Sequence, residues 1–351
     1  MMQRTKRSGG ASVPSIPFFK FLIPALFLVC LLIIGETGQS VNYGHNITFI
    51  VCGVAALAFL MKDGFLTLFG IYIACWFLYL LISGLMGSIP GEILIQALDG
   101  SMYIIAGMAF YVAARHCTGA VDRYMNGICV LSLVLSVVAF IQFFIGHGDA
   151  GSTLACRNVY AAFIAISLPL FFRKGWYKFI PILVLGLIIA KTSTAIAAAL
   201  IASAFYLWGW KGAGVAVIPA IAYYLVFKLP VHSVSLGARL EYWTDALSKV
   251  SDSWQTLLFG VGPGVYWQFQ NELHSEPVYL IFNLGIIGLI IVAAYIFRSL
   301  TQCTDWRLQA ALLAVVVDSF GNHVMHTAPT ALLVIIILGL IDRKNTLEAS
   351  T

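Results

Sequence analysis

Charged residues are scarce in this sequence. Only 10% of its 351 residues are Asp, Glu, Lys or Arg, whereas soluble domains average about 25%. Hydrophobic residues make up 60% of the chain, compared with about 45–50% in soluble domains. This composition excludes an ordinary soluble globular protein and a disordered protein. Nucleic acid is not an expected partner either, because the basic residues behind the net charge of +5 are scattered between apolar runs.

The cysteines show neither a disulfide framework nor a metal site. There are seven, an odd number, and they form no Cys-x-x-Cys pair and no Cys/His spacing typical of zinc. An Asp-x-Asp pair is also missing. We interpret the cysteines as small apolar packing residues, and the sequence gives no reason to expect a metal or another cofactor.

Long apolar runs occupy most of the chain. A spanning helix needs about 20 residues, and these runs are longer and more continuously apolar than the strands of a membrane β-barrel. The sequence therefore predicts an all-α, polytopic transmembrane bundle that forms one integral membrane domain over residues 1–351. About twelve spans are expected, near residues 18–35, 46–61, 64–86, 93–114, 125–146, 157–172, 176–191, 194–209, 212–228, 276–297, 308–321 and 328–342.

The distribution of cations predicts the orientation of these spans, since cytoplasmic loops carry an excess of Lys and Arg. With both termini in the cytoplasm, fifteen of the 20 cations fall at cytoplasmic span ends. The other five lie outside, against this bias: Arg157, Lys191, Lys228, Arg239 and Lys249. Cations placed against the bias often have a function.

A large periplasmic loop, residues 229–275, is predicted between the ninth and tenth spans. Within it Leu240, Trp243 and Leu247 are spaced by three and four residues, which predicts an amphipathic helix at the membrane interface. The run Phe-Gly-Val-Gly-Pro-Gly at 259–264 predicts a tight turn whose backbone N–H groups can approach a phosphate, although most such runs are plain turns.

His274 stands where the chain re-enters the membrane, between two glutamates. A neighbouring carboxylate can orient an imidazole or raise its basicity. A lone histidine at an interface is more often without a chemical role, so His274 by itself does not indicate a function.

Taken together, these motifs resemble the O-antigen ligase and polymerase superfamily of bacterial membrane glycan transferases. The resemblance covers about residues 150–298 by motif. It rests on Arg157-Asn158, Lys191-Thr192-Ser193, Gly237-Ala238-Arg239 with Trp243, the glycine turn, His274 and Asn-Leu-Gly-Ile-Ile-Gly at 283–288. One departure is Thr194, since family members often carry Arg directly after the Thr-Ser pair; Lys191 is the nearest cation to that position.

The resemblance implies transfer of a glycan from undecaprenyl pyrophosphate to an acceptor hydroxyl, at the periplasmic face of the bacterial inner membrane, with inversion and without a metal. The acceptor would be the lipid A core for a ligase or another lipid-linked repeat unit for a polymerase, and the motifs favour the ligase. Catalysis is assigned to His274 as general base and to Arg157 and Arg239 on the pyrophosphate. Substrate binding is assigned to Lys191, Tyr242, Trp243, Gly262, Gly264 and Glu276.

Other interpretations of the same residues stay open. An arginine at a span edge commonly reaches toward lipid phosphate with no catalytic role. The aromatic pair Tyr242 and Trp243 is typical of an interface anchor. A secondary transporter or a flippase for lipid-linked sugars is a further alternative for the whole chain. The polar group Asp318, Asn322, His323 and His326 would either line an acceptor cavity or form a helix–helix contact.

Overall fold

The computed structural model describes about three fifths of the chain. These residues are 107, 111, 114, 115, 121–145, 152, 154, 157–223, 229–262, 273–322, 324, 325 and 327–348. Every regular element among them is helical, which confirms the all-α prediction for this part of the chain. The predicted spans 18–35, 46–61, 64–86 and nearly all of 93–114 lie outside the described residues, as do Gly264, His323 and His326.

The described residues form nine α-helices and two short 3-10 turns. The 3-10 turns are Leu168–Phe171 and Tyr177–Phe179. The helices are α1 (Val121–Phe144), α2 (Arg157–Ser167), α3 (Ile180–Ala190), α4 (Ser193–Tyr223), α5 (Leu229–Ser251), α6 (Trp254–Phe259), α7 (Glu276–Gln302), α8 (Trp306–Ser319) and α9 (Ala328–Glu348).

By length and composition, three of these helices, α1, α4 and α7, are long and apolar enough to cross a membrane; α4 counts as one helix here although Gly209 interrupts it. Mean hydropathy reaches 2.5 in α1 and 2.6 in α7. Large apolar side chains on these helices face outward: Ile218 is 70% exposed and Phe297 is 68% exposed. Outward-facing apolar side chains on long helices suit contact with lipid, so the chain is a membrane protein.

Gly209 divides α4 into two segments. Its φ of 63° and ψ of −154° are not helical, and glycine adopts such a conformation at little cost. A Cβ added at Gly212 would stand 3.0 Å from the carbonyl carbon of Ala204. Residues eight apart in a straight helix are about 12 Å apart, so the chain folds back here. This break lies at the boundary between the ranges 194–209 and 212–228, which the sequence assigned to two spans.

Small side chains allow the two segments of α4 to pack closely. Ala213, Ala216 and Ala220 are buried on one face of the second segment, and Ala204 is buried on the first. Small residues at such spacing are typical of close helix contacts within membranes. The same rule applies to α2 and α8, whose alanines are almost completely buried where the helices pack in the core.

A second interruption, at Gly285 in α7, differs from the sequence prediction. Residues 276–297 were expected to form one continuous span, yet Gly285 has φ 66° and ψ −174° and separates Glu276–Leu284 from the longer segment that follows. Hydropathy could not reveal this break because the residues on both sides are apolar. Its cause is the close approach of the backbone of Leu258 and Phe259.

Ion pairs join the helices at one end of the bundle, which we call the cationic end: Asp122, Arg173, Asp305, Arg307 and Lys344. Asp305 accepts from Arg307 at 2.7 Å and from Lys344 at 2.8 Å, and Asp122 pairs with Arg173 at 3.3 Å and with Arg307 at 3.2 Å. Burial opposes ionisation of Asp305, but the hydrogen bonds from its two cations outweigh burial and lower its pKa below the usual range. The network ties α1, α8 and α9 together.

Candidate active site

The opposite end of the bundle carries most of the predicted site residues. Residues 320–327 connect α8 to α9, and we call them the α8–α9 turn. Arg239, which projects from α5, donates from Nη1 to the carbonyl oxygen of Gly321 in this turn at 3.2 Å. That bond fixes the guanidinium against the end of α8, and Arg239 is only partly exposed.

A buried cluster of polar side chains connects the α8–α9 turn to α4 and α8. The side-chain amide of Asn322 donates to Asp318 Oδ1 and to Thr194 Oγ1, each at 2.7 Å. Asp318 is fully buried, and within the described residues its second oxygen, Oδ2, has no hydrogen-bond partner. The cluster joins the start of α4 to the end of α8, which is the helix–helix contact that the sequence left as one of two alternatives.

The start of α2 is held to the start of α4 by a separate bond. Thr192 Oγ1 donates to Asn158 Oδ1 at 3.2 Å. Asn158 follows Arg157, which is exposed at the first residue of α2. Lys191 is also exposed and ends α3 in the left-handed conformation, with φ 56°. Of the five predicted outer cations, Lys191 therefore lies in the stretch 191–194, and Arg157 adjoins Asn158, which bonds to Thr192 in this stretch.

His274 is fixed through the residues on each side of it. The side chain of Leu273 is completely buried, and its carbonyl oxygen accepts the indole N–H of Trp243. Glu276, two residues after His274, accepts the backbone N–H of Met325 in the α8–α9 turn. His274 itself has φ 45°, a conformation that costs an L-residue about 1–2 kcal/mol.

Backbone strain is concentrated at this end of the molecule. In the described part of the chain, the non-glycine residues with positive φ are Ser152, Lys191 and His274. Two of them were singled out from the sequence, and Ser152 precedes Arg157 by only five residues. Unfavourable backbone conformations persist where surrounding contacts enforce them, and they are enriched at functional sites.

The glycine turn after α6 packs against the break in α7. A Cβ at Gly260 would stand 2.5 Å from the backbone nitrogen of Leu284, and one at Gly285 would stand 2.5 Å from that of Phe259. The N–H groups of Val261 and Gly262 donate to the carbonyls of residues 282 and 283 at 2.8 and 3.0 Å. The predicted phosphate-facing N–H of Gly262 is thus engaged with protein backbone, and the glycines allow two chain segments to approach.

Residues 239–247 are helical, as predicted, and form part of α5, but the apolar residues of this stretch divide between two environments. Leu240 is 50% exposed and Leu247 is 44% exposed. Trp243 turns inward and packs, with Tyr242, against a small core of Ala246, Val250, Leu273 and Phe282. In this structure Trp243 anchors the segment that carries His274; its assignment to substrate stays a prediction.

The α8–α9 turn is the common contact of the predicted site. Arg239 touches it at Gly321, and the segment of His274 touches it at Met325 through Glu276. Arg157 is connected less directly, through the Asn158–Thr192 bond and the Thr194–Asn322 bond. Sequence reasoning missed Gly321 and Met325 because both act through backbone atoms, which leave no side-chain signature. Thr194 was noted only as a departure from the family pattern.

The chain as a whole was compared with known families and proteins. It matches no protein-family model and no curated protein sequence.

Proposed function

We propose that this protein is a glycan transferase of the bacterial inner membrane, acting at the periplasmic face. It would move a glycan from undecaprenyl pyrophosphate to an acceptor hydroxyl, as an O-antigen ligase does. One observation carries the proposal: Arg239 and the segment of His274 are held against the same α8–α9 turn, at Gly321 and Met325. This reaction requires a cation that binds phosphate and a group that accepts a proton, both held near the same substrate.

The contrast between the two ends of the bundle supports a fixed orientation in the membrane. Arg173, Arg307 and Lys344 gather at the cationic end, and the sequence assigned all three to the cytoplasm. The site lies at the other end of α8, which we place in the periplasm. About twelve spans with both termini cytoplasmic complete this arrangement.

Pyrophosphate departure builds negative charge on phosphate oxygens. A guanidinium binds such oxygens in a bidentate manner and stays charged at any relevant pH. Arg239 is oriented by its bond to Gly321, so it meets the developing charge with little reorganisation. Arg157, exposed at the start of α2, would supply the second cation. Removing one such donor costs on the order of 3 kcal/mol of transition-state stabilisation.

His274 would accept the proton of the acceptor hydroxyl. Its reference pKa of about 6.5 suits a general base near neutral pH. As the proton passes to the imidazole, the acceptor oxygen bonds to the anomeric carbon and the bond from that carbon to pyrophosphate oxygen breaks. Undecaprenyl pyrophosphate leaves with the bonding electron pair. A single displacement of this kind inverts the anomeric centre and involves no covalent intermediate with the protein.

Two other functions use parts of the same architecture. A polymerase would join lipid-linked repeat units with the same cations and base, and would differ only in the acceptor. A transporter or flippase would move the lipid-linked sugar without breaking a bond; charged residues near mid-span would favour it. Trp243, Tyr242, Lys191 and the glycine turn would then serve as interface or packing residues.

The test uses the full-length protein in proteoliposomes with an undecaprenyl-pyrophosphate-linked oligosaccharide. Lipid A core is supplied in one set and the donor alone in another. A glycan attached to the core indicates a ligase, and chains longer than the input oligosaccharide indicate a polymerase. Donor that crosses the bilayer with no covalent product contradicts the transferase proposal. Deleting the gene and running surface glycans on a gel gives the corresponding result in cells.

Lys249 provides a matched control for Arg239. It lies on the same helix, is partly exposed, and pairs with Asp245 at 2.8 Å. We expect Arg239→Ala to lower transfer on the order of a hundredfold, with Lys249→Ala remaining within about twofold of wild type. Equal losses in the two variants would reduce Arg239 to general surface charge and contradict its role.

A further inference from the structure

We infer that Glu276 is a positioning residue that sets His274 against Arg239 by holding the chain to the α8–α9 turn. This inference rests on the proposed function and deepens it. It replaces the substrate-binding role that the sequence suggested for Glu276.

Glu276 is only 1% exposed. It occupies the first residue of α7, directly after Ser275, which is itself buried. A carboxylate at a helix N-terminus is favoured by the helix dipole, but burial to this degree is costly without a hydrogen bond. The backbone N–H of Met325 provides that bond to Oε1. A side chain so enclosed is poorly placed to meet a sugar.

The bond joins two segments that are 49 residues apart in the sequence. On one side, Glu276 follows His274 by two residues; on the other, Met325 follows Gly321 by four. Gly321 is the residue whose carbonyl orients Arg239. The Glu276–Met325 bond therefore fixes the spacing between the base and the cation that would act on the same substrate.

Trp243 completes the clamp from the other side, through the carbonyl of Leu273. With both neighbours held, His274 keeps its unfavourable φ of 45°. If the Met325 bond is lost, the chain beyond His274 is released and the imidazole can relax. Displacement of a catalytic group by about 1 Å can cost on the order of a hundredfold in rate.

Three substitutions separate positioning from substrate binding. Glu276→Gln keeps a side-chain oxygen that accepts from Met325, Glu276→Asp shortens the reach by one methylene, and Glu276→Ala removes the acceptor. Asp252→Ala is the control, since Asp252 is an exposed carboxylate between α5 and α6. Each full-length variant is assayed in nanodiscs for kcat and for KM of an undecaprenyl-pyrophosphate-linked oligosaccharide.

We expect Glu276→Gln to stay within about threefold of wild type, whereas kcat falls about tenfold to a hundredfold in Glu276→Ala, with KM for the donor little changed. Glu276→Asp should fall between them, and Asp252→Ala should match wild type. A Gln variant as impaired as the Ala variant, or a rise in KM at constant kcat, would show that the carboxylate acts on substrate and would overturn the inference.

A second measurement does not depend on activity. Diethyl pyrocarbonate modifies accessible imidazoles, and mass spectrometry of the peptide that contains His274 gives its rate. We expect a rate several times that of wild type in Glu276→Ala and an unchanged rate in Glu276→Gln. Equal protection in all variants would refute the clamp. If wild-type protein makes no product while this pattern holds, the transferase proposal fails and the clamp stands.

Discussion

The close packing of residues 258–260 against residues 283–285 gives the sharpest stability prediction. Gly285→Ala would place a Cβ 2.5 Å from the backbone nitrogen of Phe259. Real Cβ atoms essentially never approach other atoms within 3.0 Å, so the two segments must separate by at least about half an ångström. The atoms nearest to this Cβ belong to the backbone of Leu258 and Phe259, so side-chain rotation cannot relieve the overlap.

The cost follows from what that separation breaks. Two backbone hydrogen bonds, from Val261 and Gly262 to residues 282 and 283, would be lost, each worth about 1 kcal/mol. The positive φ of Gly285 adds about 1 kcal/mol for alanine. The total, about 3 kcal/mol, corresponds to a fall of about 6 °C in melting temperature for a protein of this size.

The assay is thermal unfolding of purified protein in detergent, followed by size-exclusion chromatography. Gly214→Ala is the control, since nothing lies within 4 Å of its Cβ position and it sits within α4; its melting temperature should stay the same or rise slightly. The double variant with Gly260→Ala should lose less than the sum of the single losses, because the first substitution already parts the segments. An unchanged melting temperature in Gly285→Ala would refute the packing argument.

Three further predictions concern the site and the cationic end. Arg239→Lys should lower transfer almost as much as Arg239→Ala, since an ammonium cannot bind phosphate as a fork; full activity in the Lys variant would leave only a point charge. His274→Ala should abolish transfer while protein levels in the membrane stay normal, and normal glycan products would contradict the base assignment. Asp305→Asn should lower stability by about 2 kcal/mol, since it leaves Arg307 and Lys344 without their buried carboxylate. Because the folded-state pKa of Asp305 is lowered from 3.8, this loss should be constant between about pH 5 and pH 8 and should shrink only below about pH 4. If the difference in melting temperature between wild type and Asp305→Asn varied across the neutral pH range, another titrating group would be responsible for the effect.

The sequence was most informative about features that depend on composition and on the spacing of apolar residues. Continuous apolar runs predicted helices that the described part of the chain contains, and the boundary that the sequence placed between the runs 194–209 and 212–228 adjoins the break at Gly209. The spacing of Leu240, Trp243 and Leu247 predicted a helix, which is α5. That spacing did not show which of the three side chains is buried, because a helical period identifies one face of a helix and not the segment that packs against it.

Tertiary contacts through the backbone could not be predicted. Gly285 lies in a uniformly apolar run, and its conformation is required only by the approach of residues 258–260. Likewise, the sequence alone suggests a surface carboxylate at Glu276, beside His274. Only the folded structure brings the backbone N–H of Met325 within hydrogen-bond distance of this carboxylate. In both cases the contact is made by a backbone amide or carbonyl of a segment distant in sequence. Such groups occur in nearly every residue type and leave no signal in the sequence.

The pairing at the cationic end has a consequence for how the chain enters the bilayer. Arg307 bonds with Asp305, only two residues away, but its bond with Asp122 closes over 185 residues of chain. While the helices are being inserted, the distant carboxylate does not yet neutralise this cation, and acidic residues have little influence on orientation in any case. With the cytoplasmic orientation that we propose for Arg307, the same arginine would first direct its span during synthesis and later join the helices of the finished bundle.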